Sequence, residues 1–125
     1  MQRELSGGLR SKLLRYLARR KKQSNKLLQE YVERLKQEVP KSIILLFGSR
    51  AKGECLPYSD YDVAVILEDL DNKLDVIEKL RRLKPKGLDL DLIVLSIDEL
   101  NDKLVKEMLK DSIILYKGIE IETLF

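Results

Sequence analysis

The sequence predicts an α/β (α+β) domain, a mixed sheet flanked by helices, with a basic helical N-terminal extension. Three observations carry that expectation. Apolar runs of strand length alternate with longer stretches whose apolar residues recur every three to four positions. Glycine and proline fall between these runs rather than inside them. Positive charge is concentrated at the start: residues 1–40 hold 11 Lys and Arg against 4 acids, and residues 41–125 hold 13 against 17.

Gly7-Gly8 precedes a segment in which Leu9, Leu13, Leu14 and Leu17, then Leu27, Leu28, Tyr31, Val32 and Leu35, recur at helical spacing. Between the two stripes lies the basic run Arg19-Arg20-Lys21-Lys22. The pattern reads as two helices, or one with a solvated middle, ending before Pro40. The second stripe suits packing on a sheet, so residues 1–26 are taken as the extension and 27–125 as the domain. For the basic run three readings stand: a solvated helix face, a dock for an acidic protein, or a nucleic-acid contact. Tyr16 is the one aromatic near it that could stack a base, and no recognised nucleic-acid motif is present.

Ser42-Ile43-Ile44-Leu45-Leu46-Phe47 is too short for a typical helix and rich in strand formers, so it reads as a central strand buried on both faces. Gly48 permits a sharp turn. Ser49 follows where a short helix would begin, so its hydroxyl and the unpaired N–H groups behind it can face an anion, with Arg50 and Lys52 adding charge. Residues 60–67 form a second strand on which Asp60 and Asp62 share one face. Two like charges that close repel, and hard divalent cations such as Mg²⁺ remove the penalty.

Residues 71–83 predict an amphipathic helix with Leu74, Ile77, Leu80 and Leu83 inward, ended by Lys84-Pro85-Lys86-Gly87. A third strand over 88–95 carries Asp89 and Asp91 on one face. Ser96-Ile97-Asp98-Glu99 has the spacing of a capping box, opening a helix through Lys110 with Leu100, Leu104, Met108 and Leu109 buried. Residues 112–117 make the last strand.

The order Gly48-Ser49, three residues, Gly53, five residues, Ser59-Asp60, one residue, Asp62, with a later strand acid, resembles the minimal nucleotidyltransferase (MNT) family of the DNA polymerase beta superfamily. The match runs through residues 48–62 without a gap, and the resemblance covers roughly residues 27–118 on the usual size of a compact domain. It implies the nucleotidyltransferase fold and Mg²⁺-dependent transfer of AMP or another NMP from ATP or another NTP to a hydroxyl. By the same resemblance Gly48, Ser49, Arg50, Lys52 and Ser59 lie at the nucleotide. Asp60, Asp62 and Asp91 are then catalytic and hold two Mg²⁺ ions, or Mn²⁺. Asp91 leads into Leu92-Ile93-Val94-Leu95-Ser96, as the family's third Asp does; Asp89, two residues earlier, is the alternative.

Small members of the family are antitoxins whose partner is a helical HEPN-domain ribonuclease, adenylylated on Tyr. The resemblance therefore implies a HEPN partner and a homo- or hetero-oligomer. The alternatives are a non-catalytic antitoxin that neutralises by docking, and a small-molecule nucleotidyltransferase that acts as a dimer.

At 44% hydrophobic and 36% charged, the chain falls with soluble globular proteins. Its apolar runs are strand-sized and residues 1–6 lack the apolar core of a signal peptide, so a cytoplasmic protein without membrane insertion is expected. Cys55 is the single cysteine and cannot form an internal disulfide. The absence of His excludes Ser-His and Cys-His nucleophiles and imidazole zinc sites, which leaves acid-base work to carboxylates, Lys or Tyr.

Overall fold

The computed structural model describes residues 25–48 and 61–120. Helix α1 runs through 25–38, followed by β1 (Ser42–Phe47), β2 (Tyr61–Leu67), α2 (Lys73–Arg82), β3 (Leu90–Ser96), a 3-10 helix (Ile97–Asn101), α3 (Lys103–Met108) and β4 (Ile113–Lys117). The strands form one mixed sheet in the order β3-β2-β1-β4. β1 is antiparallel to both β2 and β4, and β2 is parallel to β3. A parallel pair needs a crossover connection, and α2 provides it.

Each face of the sheet has its own apolar layer, as strand alternation requires. On the first face Ile44, Leu46, Val63, Val65, Leu92 and Val94 meet Leu28, Tyr31 and Leu35 of α1 and Leu80 of α2. On the second, Ile43, Leu45, Ala64, Ile66 and Leu95 are covered by Leu100, Leu109 and Ile119. β1 and β2 are thus buried on both sides, which is why they read as unbroken apolar runs.

The helix over 25–38 ends before Pro40, as expected, with Leu28, Tyr31 and Leu35 buried. Elsewhere the structure differs from the sequence expectation in phase. Asn72 caps α2, its side-chain oxygen accepting from the Asp75 N–H at 3.2 Å, so the helix starts at Lys73. At 3.6 residues per turn Leu74 then lies about 120° from Leu80, and it is 77% exposed. The helix expected from Ser96 to Lys110 is broken in two. Ser96 makes no side-chain cap; Asp102 does, accepting from Leu104 N at 2.7 Å, and this restarts the helix with Val105 and Leu109 inward. Leu104 is consequently exposed, and Met108 partly so. The third strand begins at Leu90 because Gly87, at φ +88°, and the Leu88 N–H to Pro85 O bond hold the preceding residues in a turn.

Among the described strands β4 lies at the edge of the sheet, and its pairing with β1 carries a bulge: Ile44 faces Tyr116 and Leu45 faces Ile114, leaving Leu115 as an extra residue. Ile113 and Ile114 are each nearly half exposed. Among the described residues no helix is long and apolar enough to cross a membrane.

Tyr31 ties α1 to α2. Its ring is fully buried and its hydroxyl donates to the Leu80 carbonyl at 2.7 Å. Burial pushes its phenol from 10.0 up to about 12, with Arg81 pulling weakly the other way. Between those values the unfolded chain releases a proton that the folded chain keeps, so stability falls as pH rises from 10 toward 12. Tyr31→Phe should cost about 1 kcal/mol at neutral pH through the lost hydrogen bond. The variant should also show a shallower loss across the alkaline window. Urea denaturation of both proteins, at neutral pH and through that window, checks both expectations.

Candidate active site

Of the residues the sequence assigns to the site, Gly48, Asp62 and Asp91 are described, and they lie near the end of β1 and in β2 and β3. Phe47, the last residue of β1, is registered opposite Asp62 of β2, and Asp62 is registered beside Asp91 of β3. Registered neighbours on paired strands are about 4.8 Å apart. Asp62 shares its strand face with Ala64 and Ile66, and Asp91 shares its face with Ile93 and Leu95. Both acids therefore lie on the second face of the sheet, at the end of that apolar layer nearest Gly48. Asp62 is half-buried and Asp91 exposed, a gradation that leaves the pair open to solvent on one side.

Gly48 closes the other side. It has φ +77°, the left-handed conformation that L side chains rarely adopt, and it packs directly on Asp62. A Cβ added there would stand 2.4 Å from Asp62 Oδ2. Glycine is required twice over, once for the turn and once so that backbone and carboxylate can share the space.

Asp89 sits one residue before β3. It is exposed, and its carbonyl accepts from the Tyr61 N–H at 3.2 Å, which starts the β2–β3 ladder. Among the described residues no group of three His, Cys, Asp or Glu comes close enough to hold a metal, so Asp89 does not join Asp62 and Asp91 in such a set. Ser49, Arg50, Lys52, Ser59 and Asp60 lie outside the described residues, as does the basic run of residues 19–22.

The two acids present fit a divalent cation by their chemistry. Carboxylate oxygens are the hard ligands Mg²⁺ takes, adjacent like charges favour a cation between them, and an open side leaves room for a phosphate ligand. Sequence reasoning missed two contacts at this end of the sheet, the seating of Gly48 on Asp62 and a hydrogen bond from Tyr61 to Asn25. The first had a signal in the Gly48-Ser49 turn. The second, between residues 36 positions apart, had none.

A family model described as polymerase beta, nucleotidyltransferase matches residues 26–120. Among solved structures, a candidate nucleotidyltransferase from Sulfolobus solfataricus is 28% identical, with a TM-score of 0.62 over 81% of this chain and 86% of that one. A toxin–antitoxin complex with AMP-PNP contains a chain 26% identical, with a TM-score of 0.50 over 71% of this chain and 72% of that one. No curated protein sequence gives a significant match.

Gly48→Ala should destabilise the domain by about 1–2 kcal/mol from the left-handed backbone alone, and it should displace the Asp62 carboxylate. Urea denaturation reads the first effect. Loss of cation-dependent nucleotide binding in calorimetry, under conditions where the variant is fully folded, reads the second.

Proposed function

The chain belongs to the polymerase beta nucleotidyltransferase family, and from that membership and its site we propose that it is a nucleotidyltransferase moving a nucleoside monophosphate, AMP by preference, from an NTP to a hydroxyl. The observation that carries this reading is the register that sets Asp62 beside Asp91, with Gly48 seated against Asp62. Inert strand acids would require neither a glycine at positive φ nor alignment with an acid on the next strand.

In the proposed reaction the acceptor hydroxyl oxygen attacks the α-phosphorus in line, the bond to the β-phosphate oxygen breaks, and pyrophosphate leaves. Asp60, Asp62 and Asp91 would hold Mg²⁺, which supplies charge neutralisation at the phosphates and lowers the pKa of the acceptor hydroxyl. By the family resemblance Asp91, the exposed member of the described pair, would take the hydroxyl proton on a carboxylate oxygen. Gly48 and Ser49 receive the phosphate tail through backbone N–H groups and a hydroxyl, with Arg50, Lys52 and Ser59 beside them. Most of the catalysis is positioning, which a domain of this size can supply.

The acceptor follows from the resemblance to minimal nucleotidyltransferases: a Tyr of a helical HEPN-domain toxin, so that the protein acts as an antitoxin in the cytoplasm. A structural relative crystallised in a toxin–antitoxin complex with AMP-PNP supports a toxin partner and an adenine nucleotide.

ATP should bind far better with Mg²⁺ or Mn²⁺ than in EDTA, and calorimetry giving equal affinities would remove the metal site. Asp62→Asn should abolish transfer of label from α-labelled ATP to the partner while leaving stability near its original value. Asp91→Ala should eliminate single-turnover transfer at saturating ATP yet keep nucleotide binding, whereas Asp89→Ala slows it by no more than about fivefold. Reversal of that order would make Asp89 the third carboxylate.

A further inference from the structure

Tyr61 directly precedes Asp62 in the chain, yet its side chain goes to the face of the sheet opposite that acid. Its ring is 3% exposed, in the layer that also holds Leu28 and Tyr31 of α1. Its hydroxyl donates to Oδ1 of Asn25, also on α1. Its backbone N–H is bonded to the Asp89 carbonyl. The residue is fixed at both ends, at the main chain by the neighbouring strand and at the tip of the ring by the helix.

Packing alone does not call for this hydroxyl. A phenylalanine would fill the same apolar space without needing an acceptor, whereas a buried phenol must find one. The backbone torsions of Tyr61 help set the direction in which the Asp62 carboxylate leaves the strand, and so its relation to Asp91 on the neighbouring strand. A buried ring bonded at its far end resists changes in those torsions.

We propose that the Tyr61–Asn25 hydrogen bond is a positioning device for the Asp62–Asp91 pair, with Tyr61 and Asn25 acting as positioning residues that hold Asp62 beside Asp91 in the geometry that binds metal and nucleotide. The inference rests on the function proposed above and extends it to two residues outside the motif's acids. It also gives α1 a role beyond covering the sheet.

Calorimetric titration with Mn²⁺–ATP tests it without depending on turnover. Tyr61→Phe removes the donor and Asn25→Ala the acceptor, while Asn25→Asp keeps an acceptor in place. Each of the first two should weaken Mn²⁺–ATP binding by about tenfold, their combination should weaken it no further, and Asn25→Asp should stay within about twofold of the original protein. Thermal melts of the same variants supply the control, because a merely structural bond lowers the melting temperature and leaves the affinity of the folded protein unchanged. Original affinity in both single variants, or weakening by Tyr61→Phe alone, overturns the proposal while the nucleotidyltransferase reading stands. An original protein that binds no Mn²⁺–ATP overturns both.

Discussion

The site depends on β2 being paired on both sides. Its antiparallel register with β1 seats Gly48 on Asp62, and its parallel register with β3 brings Asp91 alongside. Because side chains alternate along a strand, a slip of one residue in either ladder would send an acid into one of the two apolar layers. Both layers prevent that slip, since β2 contributes Val63 and Val65 to one and Ala64 and Ile66 to the other. The hydrophobic pattern that makes the strand fold is therefore what aims its carboxylates.

The central strands could be read from the sequence because burial on both faces leaves an apolar signature that local composition carries by itself. The acids could be read because Asp-x-Asp beside a Gly-Ser turn is a local pattern. What composition could not carry was the relation between elements. Asp62 and Asp91 become neighbours through backbone pairing, which depends on register and not on residue type. Tyr61 and Asn25 meet only once α1 lies on the sheet. Helix phase failed for a related reason: Asp102 competes with Ser96 to cap the backbone, and the winner decides which leucines face inward. Leu74 faces out for a simpler reason: at 3.6 residues per turn it cannot share a face with Leu80 six residues on.

Family membership and local geometry support different parts of the functional reading. Membership brings the reaction class, and the described residues add an acid pair in register, a glycine that yields its space to one of those acids, and an open side. The acceptor belongs to neither, since it depends on a surface that another molecule provides. A fold shared by many transferases fixes where the phosphate chemistry happens and leaves the choice of hydroxyl to whatever docks beside it.

The bulge opposite Leu45 bears on how the edge of the sheet meets another chain. An edge strand reading Ile-Ile-Leu-Tyr, with consecutive isoleucines open to solvent, would ordinarily be a template for a neighbouring chain, because its outward N–H and C=O groups form an evenly spaced row. The extra residue at Leu115 breaks that spacing midway along β4, so an incoming strand in regular register would find part of the row out of step. Growth of the sheet in that direction is discouraged by a miscount in the backbone, and the edge can keep the aliphatic side chains that hold β4 against β1.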